Sequence, residues 1–187
     1  QQGADITETH QFSDRSTGRL FMRLAFSTPA NTCMADIQAC LAPVAQQFGM
    51  DMRLHDAARL PRIIIMVSRF DHALLNLLYQ VRVGWLRAEI VAIVSNHQDS
   101  EATARQAGVP YYYWPVNPQN KTEQEDRLRT LVTTTQADLI VLARYMQVLS
   151  DTFSAQFSGR IINIHHSFLP SFKGARPYHQ ALFLIHL

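Results

Sequence analysis

Leu60-Pro61-Arg62-Ile63-Ile64-Ile65-Met66-Val67-Ser68-Arg69-Phe70-Asp71-His72 marks a domain boundary and opens a sheet. Pro61 pushes the residue before it out of helical backbone, and the apolar run after it begins a new strand. Working outward, short β-rich runs lie at 63–68, 89–95, 111–114, 139–142 and 161–164. Helical patterns separate them at 72–83, 100–107, 121–135 and 151–157. Strands alternating with helices predict an α/β fold, a doubly wound, mostly parallel, Rossmann-like sheet. In such sheets ligands sit outside the carboxyl ends of the strands. The first crossover carries Ser68-Arg-Phe-Asp-His72 in place of Gly-x-Gly-x-x-Gly, which disfavours a dinucleotide cofactor. Asp71 is expected to cap the helix that follows.

Residues 1–60 and 63–187 therefore read as two units. In the first, residues 4–13 alternate like a half-buried strand, and Asp14-Arg-Ser-Thr-Gly18 turns the chain into a second strand over 19–26, a hairpin. Asn31 or Thr32 starts an apolar-periodic helix through Ile37, Leu41, Val44 and Phe48 that stops at Gly49. Residues 51–55 are expected to add a further strand, giving the order ββαβ.

With 187 residues, 47% of them hydrophobic and 17% charged, the chain can bury a real core. A formal charge of +2 with dispersed Lys and Arg gives no electrostatic case for a nucleic-acid partner. There is no apolar run of about 18 residues and no charged-then-apolar leader, so a cytoplasmic protein without a membrane partner is expected. Cys33 and Cys40 fall in the helical pattern of the first unit, too far apart for an easy disulfide, and read as buried free thiols. The eight His residues show no ligand spacing apart from adjacent His165 and His166, so no metal is expected.

The chemistry concentrates in Arg160-Ile-Ile-Asn163-Ile164-His165-His166-Ser167-Phe168-Leu169-Pro170. Ile161, Ile162 and Ile164 supply the β-branched run of a central strand, so Asn163 and His165, two apart, should share a side. An Asn side-chain N–H aimed at a carbonyl stabilises an oxyanion, an effect worth about 2.7–4 kcal/mol when one such donor is removed. Imidazole, with an unperturbed pKa of about 6.5, shuttles protons near neutrality. Together they suit acyl transfer or hydrolysis. Taken alone, the same pair also describes a capped strand end followed by hydrogen-bonded loop histidines.

The longer string Asn163-Ile-His-His-Ser-Phe-Leu-Pro170, followed by Gly174-Ala-Arg-Pro-Tyr-His-Gln180, resembles the active-site signature of the folate-dependent formyltransferase family. Family members that formylate glycinamide ribonucleotide or methionyl-tRNA usually carry Pro where this chain has His166. The formyltetrahydrofolate deformylase branch reads His-His-Ser-Phe-Leu-Pro. The resemblance extends through Val67-Ser-Arg-Phe-Asp-His72, Ser95-Asn-His97 and Leu142-Ala-Arg-Tyr-Met-Gln-Val-Leu-Ser150, essentially the whole chain to about Ala181. It implies a formyltransferase sheet preceded by a partial ACT domain of α+β, ferredoxin-like type, and hydrolysis of the substrate 10-formyltetrahydrofolate to formate and tetrahydrofolate without a separate cofactor. Formate would feed purine synthesis and one-carbon metabolism.

By the same resemblance, Asn163 and His165 are the catalytic pair. Met146, Val148 and Leu149 cradle the folate, and His166, Ser167, Phe70 and His97 are further candidates around the substrate. The ACT-like unit implies a glycine or methionine effector and a homo-oligomer. Its expected first strand and first helix are absent from the chain. The family's third catalytic residue, an Asp that orients the His and the water, falls in a segment beyond Leu187, and neither Asp138 nor Asp151 matches it. A truncated or frame-shifted reading frame is therefore expected. Two alternatives stay open: a formyltransferase with an amine acceptor, and a non-catalytic binding fragment.

Overall fold

The structure is a computed structural model that describes residues 3–164. The chain divides into two compact units, residues 1–58 and 59–187. In the first, β1 (Asp5–Asp14) and β2 (Arg19–Ser27) form an antiparallel hairpin, followed by α1 (Met34–Gln47). The Asp14 carboxylate accepts from the Ser16 N–H at 2.9 Å and from the Ser16 and Thr17 hydroxyls at 2.6 and 2.7 Å. Those bonds, Ser16 foremost, hold its pKa down at about 2. Gly18 ends the turn at φ +66°, backbone that glycine adopts without a Cβ clash.

Several expectations for this unit fail. The hairpin is not half-buried: Ile6, Phe12, Leu20, Met22 and Leu24 are all exposed. Residues 51–55 form no strand, although Met52 and Leu54 are half-buried in alternation. Among the described residues no strand pairs with them, and alternation without a partner makes no sheet. The buried stripe of α1 runs through Ile37 and Ala45, while Val44 and Phe48 are exposed. Cys33 occupies the N-cap and Cys40 lies beside the stripe, so both free thiols are exposed rather than buried.

The second unit alternates as its sequence pattern predicts. Its elements are β3 (Arg62–Val67), α2 (His72–Arg82), β4 (Glu89–Ser95), α3 (Glu101–Gln106), β5 (Tyr111–Tyr113), α4 (Lys121–Thr134), β6 (Leu139–Ala143), α5 (Asp151–Gln156) and β7 (Ile161–Ile164). All four pairings in the sheet are parallel, in the order β5-β4-β3-β6-β7. The chain winds outward from β3 to β5, returns to the other side of β3 with β6, and winds outward again.

Period-two alternation sorts the core into two layers. Ile64 and Met66 share one cluster with Ala92, Val94, Ile140, Leu142 and the apolar stripe of α4, Leu128, Leu131 and Val132. Ile63, Ile65 and Val67 face the other way, with Ile93, Val141, Leu74 of α2 and Ala104 of α3. A bulge between Ile63 and Ile64 makes Val91 the extra residue of β4, which is why Val91 and Ala92 join the same cluster. Fully burying one such aliphatic side chain contributes about 1.5–3 kcal/mol, so β3, with five consecutive buried residues, anchors the unit.

At the amino ends of the strands, Asp138 acts as a clasp. Its carboxylate accepts from the Arg62 N–H at 2.8 Å and from Arg59 Nη2 at 3.0 Å, which accounts for this acid without chemistry. Two details depart from expectation. Asp71 holds the N-cap position of α2, yet its side chain makes no capping bond; the cap of α5 is the Ser150 hydroxyl, which accepts from the Phe153 N–H at 3.2 Å. β7 is the edge strand among the described residues rather than a central one, with Ile162 and Ile164 exposed.

Candidate active site

The order of the strands reverses between β3 and β6, and sheets of this kind receive ligands outside the carboxyl ends at such a switch point. Ser68, the residue after β3, is buried there. Its hydroxyl donates to Asn96 Oδ1 at 2.8 Å and accepts the Met146 N–H at 3.0 Å, so one oxygen joins the ends of β3, β4 and β6.

Beyond β6 the chain enters segment 144–150. Arg144 takes φ +56°, unusual for a side chain other than glycine, and so turns the backbone sharply out of the strand. Its Nη1 lies 3.2 Å from His72 Nε2; a guanidinium only donates, so the imidazole nitrogen accepts. Tyr145 is buried, and burial first, with the Glu125 carboxylate second, pushes its phenol up to about 12. At the far end of the segment, Glu125 Oε1 accepts the Ser150 N–H at 2.7 Å and Oε2 accepts the Ser150 hydroxyl at 2.5 Å.

Between this segment and α4 lies a mainly apolar cavity lined by Val148, Leu149, Tyr145, Trp114, Leu128 and Gln124. Gln124 Oε1 is buried with no hydrogen-bond partner among the described residues. Lys121 and Glu125 also reach the wall and supply both signs of charge. A wider and more polar cleft lies at the opposite, amino end of the sheet. There Arg160 donates to the Asp138 and Ala137 carbonyls and Arg59 to the Asp138 carboxylate, so structural bonds account for its charges.

The residues singled out from sequence are distributed as follows. Val148 and Leu149 line the cavity, and Met146 is fixed through its backbone to Ser68 at the switch point. Phe70 follows β3 and is exposed, with the Arg144 guanidinium over its ring. His97 follows β4 and is half-buried; its N–H donates to Ser95 Oγ at 3.1 Å and its carbonyl accepts the Tyr111 hydroxyl at 2.5 Å. Asn163 stands exposed on β7, paired in register with Leu142 of β6. His165, His166 and Ser167 lie outside the described residues.

Ser68, Gln124 and Glu125 were not singled out from sequence. Glu125 did leave a signal, since Glu125, Leu128 and Val132 follow i, i+3, i+7 spacing and an acid on an apolar stripe must find buried donors. Among the described residues, no group of three His, Cys, Asp or Glu side chains is arranged to hold a metal ion, and no helix is long and apolar enough to cross a membrane.

Comparison with known proteins agrees with this fold. The formyl transferase family matches residues 61–184. Formyltetrahydrofolate deformylase of Corynebacterium sp. (strain P-1) is 42% identical over 177 residues, 94% of this chain and 62% of that protein. The deformylase of Bacillus subtilis (strain 168) is 38% identical over 97% of this chain and 61% of its own length. The chain thus spans about three fifths of the curated relatives it matches. The crystal structure of formyltetrahydrofolate deformylase from Burkholderia mallei superposes with a TM-score of 0.85 at 41% identity, covering 96% of this chain and 64% of that one. A phosphoribosylglycinamide formyltransferase from Coxiella burnetii superposes with a TM-score of 0.59 at 31% identity, over 67% of this chain and 61% of that one. A parallel sheet whose strand order reverses at β3 and β6, together with the family match over residues 61–184, places the chain in the formyl transferase family.

Proposed function

We propose that this chain hydrolyses 10-formyltetrahydrofolate to formate and tetrahydrofolate. The observation that carries the reading is the contrast between relatives. Deformylases match 94–97% of the chain at 38–42% identity, whereas the formyltransferase acting on phosphoribosylglycinamide matches 67% at 31%. The match that runs through both units is to the hydrolases. His166, where amine-formylating relatives usually carry Pro, supports the same choice.

In this reading the pterin enters the cavity beside Val148 and Leu149, with Met146 next to it, and the formyl group reaches Asn163. Water adds to the formyl carbon, and the Asn163 amide donates to the oxygen as negative charge develops there. His165 takes the proton from the attacking water and delivers one to N10 as the carbon–nitrogen bond breaks. One water is consumed, and the products are the secondary amine and formic acid, which ionises to formate. His166, Ser167, Phe70 and His97 are assigned to the rim that receives the substrate. The hairpin unit is assigned to part of an ACT-type regulatory domain that binds glycine or methionine within a homo-oligomer, and the enzyme to the cytoplasm.

The test is formate release from 10-formyltetrahydrofolate by the purified chain, with and without glycinamide ribonucleotide as a competing acceptor. Formate at an equal rate in both supports hydrolysis. Formyl transfer to the amine, or no consumption of the folate, overturns it.

A further inference from the structure

We propose that Ser68 and Glu125 are positioning residues that hold segment 144–150 in its ligand-receiving form before any ligand arrives. The inference rests on the proposed function in one respect, that Met146, Val148 and Leu149 receive the folate. Its structural basis is independent of that reading.

Between Tyr145 and Ser150, two backbone N–H groups find partners among the described residues. Met146 donates to Ser68 Oγ at 3.0 Å and Ser150 donates to Glu125 Oε1 at 2.7 Å. Both partners are buried side chains, 4% and 7% exposed, on elements whose own positions are fixed by the core. The segment therefore hangs between two anchors, one at the switch point and one on the flank of α4. A hydroxyl has a single proton, and Ser68 gives its own to Asn96 Oδ1, which leaves a lone pair for the Met146 amide. Glu125 similarly spends both carboxylate oxygens on Ser150, whose hydroxyl then caps α5.

The cavity wall between the anchors, Gln147, Val148 and Leu149, has no comparable tether in its backbone N–H groups among the described residues. Val148 is 70% exposed, so packing alone does not hold it. Loosening either anchor would leave the ligand to order the segment on arrival, and that cost appears in affinity rather than in the chemical step.

The experiment compares the wild-type chain with Ser68→Ala, Glu125→Ala and Glu125→Gln. Amide hydrogen exchange is measured without ligand, and KM and kcat are measured with 10-formyltetrahydrofolate. In the wild type, the Met146 and Ser150 amides should exchange at least tenfold more slowly than those of Gln147 and Val148. Ser68→Ala should release Met146, and Glu125→Ala should release Ser150. Each should raise KM about tenfold, the loss expected for one hydrogen bond, while kcat stays within about twofold. Glu125→Gln keeps an acceptor for the Ser150 N–H and should restore most of the affinity. Equal exchange across the segment in the wild type overturns the proposal even if a variant fails to fold. So does a loss confined to kcat, or a KM that does not move when an anchor is released. If the wild type consumes no folate, the functional reading falls, and the exchange rates alone decide whether the two anchors set the segment.

Discussion

The guanidinium carbon of Arg144 lies 5.7 Å from the centroid of the Phe70 ring, within cation–π range, so the segment leaving β6 and the loop leaving β3 are clasped across the switch point. The clasp is made by a residue at φ +56°. A Cβ in left-handed backbone costs roughly 1–2 kcal/mol, and glycine escapes that cost. Arg144→Ala and Arg144→Gly both lose the ring and His72 contacts, but the Ala variant keeps the strain. Urea unfolding should find the Gly variant more stable by about 1 kcal/mol. Equal stability would show that the backbone there is relaxed.

Asn163→Ala should reduce turnover of 10-formyltetrahydrofolate about 10²–10³-fold, the loss seen when an oxyanion donor is removed. The residue is exposed on β7, the edge strand among the described residues, so melting should stay within about 0.5 kcal/mol of wild type. Retained activity in a folded Asn163→Ala variant would move the oxyanion site elsewhere.

Tyr145 sets an alkaline limit. Its phenol is pushed from about 10 in the unfolded chain to about 12 in the fold. Between those values the unfolded chain holds fewer protons than the native one, so stability falls as pH rises. The contribution is complete below pH 10 and is lost as pH climbs through about 12, up to about 3 kcal/mol in all. Denaturant titrations at pH 9 and pH 11.5 should show this loss in the wild type. The loss should be smaller in Tyr145→Phe, and the same slope in both would assign it to other groups.

Gln124 lines the cavity and buries a side-chain oxygen that has no hydrogen-bond partner among the described residues, an orphan group that carries a cost in the free protein. Gln124→Leu should raise stability by about 1–2 kcal/mol while weakening tetrahydrofolate binding. Isothermal titration alongside thermal melting separates the two effects. A variant that gains stability and keeps its affinity would show that the oxygen does not meet the ligand.

The parallel sheet was legible because its strands are short apolar runs set between helical patterns, and a residue such as Ile64 has nowhere to go but inside. The first unit was harder to read. Residues 51–55 alternate like a strand, but no strand among the described residues receives them, and the hairpin's apolar residues alternate without becoming buried. Pairing and burial depend on what lies beside a segment, which its own spacing does not record. At the site, the motif residues were legible as strings, while Ser68 and Glu125 were not. Each acts on a backbone N–H far along the chain, and a hydrogen bond between positions 68 and 146 leaves no local pattern.

The order β5-β4-β3-β6-β7 also bears on how the protein is made. During synthesis, β3 can pair with β4 as soon as both emerge, but its other edge must wait for β6, which begins at Leu139. At about 5–20 residues per second, that edge stays open for roughly 4–14 s, with the apolar residues of β3 covered on one side only. Such an edge is a template for another nascent chain. Expression at low temperature slows translation and lengthens this interval, so the yield of soluble protein should respond to chaperones that shield strand edges more than to the final stability of the fold.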